Sequence, residues 1–384
     1  MKLSTLSVGL SAAVLASAKH INYSIVPGYF EQDDPNTDPS TYDYTANNFG
    51  LISRSYDADK DAETKDLSIW ERFYRQLVYL NAHSEKHVSY KLFFMGRHGE
   101  GYHNAAEDYF GTPAWNCFWS LLEGNGTHTW ADADVTPEGI RQAEIAHEYW
   151  LHQYAEHNIH FPDLYFSSPM TRALKTANIT FSGLPLKQAG AAKFIPEIKE
   201  GFREGMTMHT CNERRSKSYI SNLFPTWTFE EGFTEEDELW KGTTGETSEA
   251  QDLRSREALD DIFANAFITP KRVPKGSCLP PGHHHQGKDK DLVVSITAHS
   301  GEITSILRVI GHQPFRLATG QVIPVLIRAE EKVEDLPSTT APFTTSAYCT
   351  EPPATSVATG CVCASSATPV TSGYPVFAAT PTPA

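Results

Sequence analysis

The sequence lacks an excess of positive charge and lacks a second long apolar run. Its 384 residues include 32 lysines and arginines against 47 aspartates and glutamates, which gives a formal net charge of -15. Such a chain is a poor partner for nucleic acid, so any phosphate site has to be a local region of positive charge. After Ala18 no apolar segment approaches the length that a membrane span needs.

The segment from Met1 to Ala18 predicts a secretory signal peptide. Lys2 precedes an apolar stretch over residues 3–16, and residues 16–18, Ala-Ser-Ala, form a small-residue cleavage pattern. A membrane anchor is the weaker alternative, because the apolar run is short and serines interrupt it. We therefore expect a secreted protein, extracellular or in a cell wall, whose mature chain begins near Lys19.

Cysteine is scarce, with six residues in the whole chain. Export permits disulfides, but six cysteines allow fifteen pairings and the sequence selects none of them. Three cysteines lie in the globular part and three in the tail, so complete pairing requires at least one bond between these parts. The cysteines are Cys117, Cys211, Cys278, Cys349, Cys361 and Cys363.

Two short segments invite a metal-site interpretation, and neither supports it. Cys361 and Cys363 are too close together for a zinc knuckle, and no histidine follows them. The histidines at 283–285 lie in a loop rich in proline, glycine and lysine, which favours a solvated low-complexity run. We expect no metal and no cofactor.

Both the surface and the end of the chain suit an exported glycoprotein. Sequons occur at Asn22, Asn125 and Asn178. From residue 334 to 384 proline, threonine, serine and alanine dominate, a composition that cannot bury a core. We expect a disordered, O-glycosylated tail through which the protein would associate with a cell wall.

Between these ends, apolar segments of strand length alternate with helices. The strands are continuously apolar rather than alternating, which is typical of a mostly parallel sheet covered on both faces. We therefore expect a three-layer α/β sandwich with helices on both faces of the sheet. The predicted strands span residues 91–95, 164–166, 194–198, 292–297 and 322–327; the predicted helices begin at residues 68, 136, 168, 248 and about 300.

The predicted organisation has four parts. After the signal peptide, residues 19–89 form an N-terminal extension that packs on the core, residues 90–333 form the main domain, and residues 334–384 form the tail. Within the main domain, residues from about 205 to 290 carry helices of their own. We expect this segment to be a cap-like insertion that covers the site.

Polar side chains follow three of the predicted strands. Arg97 and His98 follow one strand, Arg172 lies in the first turn after another, and His299 follows a third. The carboxyl ends of parallel strands share one edge of the sheet, where ligands bind. Any one of these residues alone would more readily be a surface or capping residue, but the four together predict an anion pocket that contains a nucleophile.

The ordered set of motifs is similar to the histidine phosphatase superfamily, in its phosphoglycerate mutase-like branch and the fungal phosphomutase-like form of that branch. The acid phosphatase and phytase branch would have an arginine and a proline at positions 101 and 103, where this sequence has Gly101 and His103. The similarity covers residues 92 to about 325. It is carried by Arg97-His98-Gly99-Glu100 with Asn104, by residues 135–139 with Gln142-Ala143, by residues 167–177, and by Ala298-His299-Ser300-Gly301.

This resemblance implies that His98 takes the phosphoryl group, forming phosphohistidine before water removes it, without a metal. It also implies that Arg97, Arg172 and His299 hold the phosphate oxygens.

The resemblance places the proton donor in a glutamate-rich stretch, residues 196–205, where Glu204 fits best and Glu200 is the reserve. Asn104 is expected either to touch the phosphate or to orient the Arg97 loop, and a simple turn residue is an equal alternative.

We therefore expect a phosphoric monoester hydrolase that acts on a phosphorylated small molecule. A phosphomutase is the nearest alternative, but export would separate it from a cytosolic pool of bisphosphorylated activator. A catalytically idle binding or cell-surface protein of the same fold is the alternative from another class. The intact set of two arginines and two histidines argues against it, because a binding protein needs no imidazole nucleophile.

Overall fold

The computed structural model describes residues 19–60, 64, 66–267, 291–333, 343–353 and 363. The predicted signal peptide, the histidine run at 283–285, Cys278 and Cys361 lie outside these residues. No helix in the described ranges is long and apolar enough to cross a membrane.

The described residues form nine strands and eight α-helices. The strands are β1 (Lys19–Ile25), β2 (Val88–Arg97), β3 (Leu164–Ser167), β4 (Glu197–Ile198), β5 (Thr228–Phe229), β6 (Gly245–Glu246), β7 (Val293–Ala298), β8 (Val322–Val333) and β9 (Phe343–Thr344). The helices are α1 (Ile69–His83), α2 (Tyr102–Phe110), α3 (Thr112–Cys117), α4 (Pro137–His157), α5 (Thr171–Phe181), α6 (Lys217–Leu223), α7 (Ser248–Phe263) and α8 (Ser300–Val309).

Seven strands form one sheet in the order β1-β8-β2-β7-β3-β4-β5. The strands from β2 to β5 in this order are parallel, whereas β8 is antiparallel to β2 and β1 is antiparallel to β8. Since helices cover the sheet, the prediction of an α/β fold with a mostly parallel central sheet is confirmed.

Two neighbouring phenylalanines of β2 show how both faces of the sheet are covered. Successive side chains of a strand point to opposite faces. Phe94 packs against Trp70 of α1 and Trp150 of α4, with ring centroids 5.7 and 4.8 Å apart. Phe93 packs against Phe263 of α7 at 5.9 Å on the other face. The core therefore lies on both sides of the central strands, as a continuously apolar strand requires.

The N-terminal extension adds an edge strand to the sheet, which the sequence analysis did not predict. Strand β1 pairs with β8 along its whole length, from Lys19 opposite Val333 to Ile25 opposite Ile327. The segment alternates polar and apolar residues, so that Tyr23 is buried while the sequon residue Asn22 is exposed. A half-buried edge strand of this kind has only a short, weak pattern in the sequence.

Part of the predicted disordered tail is ordered, and for these residues the prediction is wrong. Strand β9 pairs with β6, and Tyr348 and Cys349 are buried. Cys349 also forms a disulfide with Cys363, a pairing that the sequence could not select. We call residues 343–353 the C-terminal strap. The strap does not form a separate core. Its Tyr348 joins a small apolar cluster with Leu121 and Met208 of the main domain.

The sequons at Asn125 and Asn178 differ in their surroundings. Asn125 is exposed in a turn, where its side-chain oxygen accepts hydrogen bonds from the backbone of Thr127 and His128. Asn178 is half-buried in α5 and accepts a hydrogen bond from the Ser182 hydroxyl. Asn125 therefore has more open space for a glycan than Asn178.

Candidate active site

The three strands that carry the predicted site residues are neighbours in the sheet and end at the same edge. Strand β7 lies between β2 and β3, so the residues that follow these strands converge. The rings of His98 and His299 are 5.0 Å apart. A cavity of about 500 Å³ opens at this edge. Arg97, His98, Asn104, Arg172 and Glu204 line it, whereas His299 lies fully buried beside His98.

The loop that carries His98 is held by residues of two helices, α5 and α4. The Gly99 amide donates a hydrogen bond to the Thr176 hydroxyl of α5 at 2.9 Å. The Thr136 hydroxyl, which caps α4, donates to the Glu100 carboxylate at 2.6 Å, and the Thr136 amide donates to the Glu100 carbonyl at 2.8 Å. The loop that carries His98 is therefore fixed in part by Thr136, which belongs to the motif at residues 135–139.

The close approach of α4 to this loop depends on glycine. A Cβ on Gly139 would lie 2.1 Å from the Glu100 carbonyl oxygen, and a Cβ on Gly99 would lie 2.3 Å from the Gly139 carbonyl oxygen. Neither position has room for a side chain. Glycine therefore sets the distance between the helix and the loop.

The hydrogen bond of His98 defines its tautomer. Its Nδ1 lies 2.7 Å from the Gly99 carbonyl oxygen, which can only accept, so Nδ1 carries the hydrogen. Burial, together with the nearby Arg172 and Arg97 charges, lowers the pKa of His98 well below its ordinary value. The ring is therefore neutral near pH 7, and Nε2 holds a lone pair that is available for nucleophilic attack.

Both predicted arginines are anchored by backbone carbonyl groups. Arg97 Nη1 donates to the Leu317 carbonyl at 2.8 Å, and Arg172 Nη1 donates to the Cys211 carbonyl at 2.9 Å. Burial lowers the pKa of both side chains, but a guanidinium stays protonated in proteins. Two fixed positive charges therefore flank the neutral His98.

Asp132 fixes the beginning of the helix that carries Arg172. Its carboxylate accepts hydrogen bonds from the amide and the hydroxyl of Thr171, at 2.9 and 2.5 Å. A carboxylate at a helix N-terminus satisfies unpaired amides and suits the helix dipole. Asp132 therefore holds Arg172 in place without lining the cavity.

Several buried polar atoms around the cavity have no hydrogen-bond partner among the described residues. Buried groups of this kind are rare in folded proteins and suggest a missing ligand. Together with the two positive charges, they favour an anion with several oxygens. The atoms are Arg97 Nε, Arg172 Nε, His103 Nδ1 and His299 Nδ1.

His299 is oriented by Ser168, the residue directly after β3. Its Nε2 lies 2.8 Å from the Ser168 hydroxyl. Burial and the nearby Arg172 charge lower the pKa of His299 well below its ordinary value. The structure therefore places a second neutral imidazole beside His98, at the sheet edge where the strand ends led us to expect His299.

The two proton-donor candidates lie in different surroundings. Glu204 lines the cavity, and its carboxylate accepts hydrogen bonds from the amides of Gly205 and Gly301, at 2.9 and 3.2 Å. Glu200 instead pairs with Arg203 at 3.1 Å and Arg214 at 2.5 Å. Glu200 does not belong to the described residues that line the cavity, so the structure favours Glu204 over Glu200.

Asn104 lies where either of the two roles considered for it is open to it. Its side chain lines the cavity, and its Oδ1 accepts a hydrogen bond from the Gly101 amide at 3.0 Å. This bond closes the first turn of α2. Asn104 therefore fixes the loop after His98 and also lies within reach of a bound ligand.

The cavity is also lined by residues that were not among the sequence-based candidates, including two histidines and a glutamate. His103 and His209 are neutral imidazoles, since burial lowers the pKa of His103 well below its ordinary value and that of His209 to about 4. Glu107 is a second carboxylate in the cavity wall and accepts a hydrogen bond from the Thr112 hydroxyl. His103 and Glu107 could have been suspected from their position in the helix after His98, but nothing in the sequence singles out His209.

Within the described ranges, no three side chains of His, Cys, Asp or Glu are grouped so that they could hold a metal ion. The predicted absence of a metal site at residues 283–285 stays a prediction, because these residues lie outside the described ranges.

Comparisons with known proteins agree with the resemblance seen in the motifs. The family model for the "Histidine phosphatase superfamily (branch 1)" matches residues 117–266. A protein of Arthroderma benhamiae, "Probable phosphoglycerate mutase", is 45% identical over 316 residues, covering 82% of this chain and 86% of that protein. "Phosphomutase-like protein 3" of Candida albicans is 36% identical over 346 residues, covering 88% and 92%.

One solved structure that is similar to this chain is that of a phosphoglycerate mutase from Thermus thermophilus. It is 18% identical, has a TM-score of 0.30, and the match covers 61% of this chain and 91% of that chain.

Proposed function

Because this chain belongs to the histidine phosphatase superfamily and is similar to fungal phosphoglycerate mutase-like proteins, we propose that it is a secreted phosphatase of phosphorylated small molecules. The superfamily makes it a phosphatase or a mutase of phosphorylated metabolites. The observation that carries the choice of chemistry is the neutral His98 between the buried Arg172 and the half-buried Arg97. Such a site combines a nucleophile with positive charge that is in place before the substrate arrives.

In the first step, the Nε2 lone pair of His98 forms a bond to phosphorus while the bond to the ester oxygen breaks. Glu204 gives its proton to the departing oxygen. Arg97 and Arg172 offset the charge on the remaining phosphate oxygens, and His299 donates a hydrogen bond. Positioning and fixed positive charge are the main requirements of phosphoryl transfer.

In the second step, water attacks the phosphohistidine and gives a proton to Glu204. The electron pair of the phosphorus–nitrogen bond returns to His98, and inorganic phosphate leaves. Glu204 therefore acts first as acid and then as base, and the enzyme returns to its starting state.

The names of the relatives favour a mutase as the second candidate function. In a mutase, a hydroxyl of a second metabolite replaces water in the second step. Measuring inorganic phosphate and phosphorylated product in the presence of an added sugar phosphate separates the two. Release of inorganic phosphate as the main product supports the phosphatase, whereas transfer to the acceptor as the main outcome overturns it.

Hydrolysis of p-nitrophenyl phosphate tests the nucleophile. We expect turnover by the purified protein at some pH between 4 and 8, and a loss of at least about 10³-fold in His98→Ala. His152→Ala is a matched control, because His152 is exposed on α4. Acid-labile phosphohistidine should be trapped in the wild type and be absent from His98→Ala. Absence of turnover in the wild type contradicts the phosphatase, and turnover that survives in His98→Ala contradicts the mechanism.

The leaving group tests the proton donor. An alkyl phosphate such as β-glycerol phosphate releases a basic alkoxide that needs a proton, whereas p-nitrophenolate leaves without one. We expect Glu204→Gln to lower kcat/KM, which reports the steps through transfer to His98, by about 10²-fold or more for the alkyl phosphate and much less for the aryl phosphate. If Glu107→Gln shows this selectivity and Glu204→Gln does not, Glu107 is the donor.

Secretion is supported by the sequence of the segment from Met1 to Ala18. Strand β1 begins at Lys19, so cleavage after Ala18 would remove no described element. We expect protein in the culture medium of a eukaryotic host to begin near Lys19, as measured by mass spectrometry of its N-terminal peptide. Retention inside the cell with this segment intact would contradict secretion.

A further inference from the structure

A buried ion network lies directly behind Glu204. Its centre is Arg254 of α7, whose side chain is only 12% exposed. The guanidinium donates hydrogen bonds to three backbone carbonyl groups, those of Gly201 at 2.8 Å, Arg203 at 3.1 Å and Glu204 itself at 3.3 Å. Arg254 therefore binds the backbone of the segment that ends at Glu204.

Glu246 extends this hold to the other side of Glu204. Its two carboxylate oxygens form a fork with Arg254, with both hydrogen bonds at 2.9 Å. One of these oxygens also accepts a hydrogen bond from the Met206 amide at 2.9 Å. The Arg254–Glu246 pair therefore fixes the chain both before and after Glu204.

The same arginine reaches the helix that holds the Glu204 carboxylate. Arg254 Nη1 forms an ion pair with Glu302 of α8 at 3.2 Å. Glu302 is fully buried and accepts further hydrogen bonds from Ser255 at 2.7 Å and Gln251 at 3.2 Å. Glu302 directly follows Gly301, whose amide donates to the carboxylate of Glu204.

The space for the Glu204 carboxylate is narrow. A Cβ on Gly301 would lie 2.1 Å from Glu204 Oε1, so backbone and carboxylate are already in close contact. A small change in the distance between the Glu204 segment and α8 would move the carboxylate out of line. Arg254 contacts both the Glu204 segment and α8. Among the described residues, the other hydrogen-bond partner of its guanidinium is Glu246.

We propose that Arg254 is a positioning residue for proton transfer, holding the Glu204 carboxylate at the ester oxygen through the Glu204 backbone, Glu246 and Glu302. The proposal rests on the proposed function, because it assigns Glu204 as the acid. A purely structural ion pair would support all activities of the folded enzyme equally. In the first step, transfer of the phosphoryl group to His98, a positioning residue for the acid affects only the substrates whose leaving group needs a proton.

Arg254→Lys tests this distinction, because lysine keeps the charge but cannot form the fork or reach three carbonyl groups. We expect kcat/KM for β-glycerol phosphate, which reports the steps through phosphoryl transfer to His98, to fall by about 10- to 100-fold. The kcat/KM for p-nitrophenyl phosphate should stay within about threefold of the wild type. Arg256→Lys is the matched control. Arg256 lies on the same helix but donates to the Ile21 carbonyl of β1, and its substitution should leave both rates unchanged.

Equal losses on both substrates, or no loss on either, would overturn the positioning role. If Arg254→Lys yields no folded protein, as judged by thermal unfolding, Glu246→Gln decides instead. It removes the charge from the fork while keeping the shape of the side chain, and the same selective loss is expected. The wild-type rates test the proposed function separately, since a wild type that hydrolyses neither substrate contradicts that function whatever the variants do.

Discussion

Four histidines near the cavity are kept neutral by burial, and this neutrality has both a use and a cost. Burial lowers the pKa of His98, His103, His209 and His299. The use is that His98, the proposed nucleophile, keeps its lone pair in mildly acidic solution because its protonation is suppressed. The cost appears in the unfolded chain, where the same imidazoles take up protons freely near pH 6.5.

Stability should therefore fall as the pH falls below about 6.5. In this range the unfolded chain binds more protons than the folded protein, so the free energy of unfolding rises with pH and falls with acid. His209 gives the clearest case, since its pKa falls from the ordinary value of 6.5 to about 4. Its neutral form contributes stability that is fully present above pH 6.5 and is lost as the pH falls toward 4.

His209→Gln should remove part of this dependence. Glutamine does not titrate, so the difference in the free energy of unfolding between pH 7 and pH 4 should shrink by about 3 kcal/mol relative to the wild type. Chemical denaturation at the two pH values measures it. His152→Gln, at an exposed position on α4, is the matched control for replacing a histidine by glutamine. An unchanged difference in His209→Gln would show that His209 is not held neutral in the fold.

Among the elements, the contact between α4 and the loop after β2 does most to place the nucleophile. The first turn of α4 holds Glu100 by two hydrogen bonds from Thr136, and Gln142 accepts a hydrogen bond from the Glu100 amide at 2.8 Å. Gly139 allows the helix backbone to approach this loop without a side chain between them. The position of His98 therefore depends on a residue that has no functional group.

Gly139→Ala tests that dependence, because we expect its effect on stability to be opposite to that of an ordinary glycine-to-alanine substitution in a helix. Within a helix, replacing glycine by alanine ordinarily stabilises by about 1 kcal/mol. Here the new Cβ would collide with the Glu100 carbonyl, and we expect destabilisation by about 1–3 kcal/mol together with a fall in kcat of about 10-fold or more. Thermal unfolding and steady-state kinetics measure the two effects. Glu144→Ala, on the exposed side of α4, should change neither, and a stabilised, fully active Gly139→Ala would refute the close contact.

The sequence predicted the elements whose patterns are long and local. The caps at Ser68 and Thr136 placed the starts of α1 and α4, and the apolar runs placed β2 and β7 to within a few residues. Helix α2 was missed because it buries only His103 and Ala106, too few for an apolar stripe. Strand β4 covers only the last two residues of the strand predicted over residues 194–198, and a two-residue strand such as β5 shows no period at all.

The sequence could predict those residues of the candidate site that directly follow a strand of the sheet. Arg97, His98, Arg172 and His299 follow directly from the rule that parallel strands share one carboxyl edge. His209 and Arg254 could not be found in this way, since the fold of residues 205–267 brings them to the site from a distance in sequence. Arg254 in particular is one of several charged residues in α7, and a charged helix residue ordinarily faces solvent.

On the scale of the whole molecule, both ends of the described chain are attached to the main domain in different ways. Strand β1 extends the sheet at one edge, whereas the C-terminal strap lies against the segment that forms one wall of the cavity. Tyr348 contacts Met208, and Cys349 donates its amide to the Cys117 carbonyl at 2.8 Å. The neighbours of Met208, Thr207 and His209, both line the cavity.

Removal of residues 343–384 should therefore weaken the cavity wall while the sheet stays intact. The truncated chain loses the pairing of β6 with β9 and the burial of Tyr348, which for a large aromatic side chain costs about 3 kcal/mol. We expect a lower Tm and a fall in kcat/KM of about 10-fold, with an unchanged far-ultraviolet circular dichroism spectrum. A chain that ends after Cys363 keeps the strap and its disulfide, and is the matched control. If both truncated chains match the full-length protein, the strap has no part in shaping the cavity, because the wall then keeps its form without Tyr348.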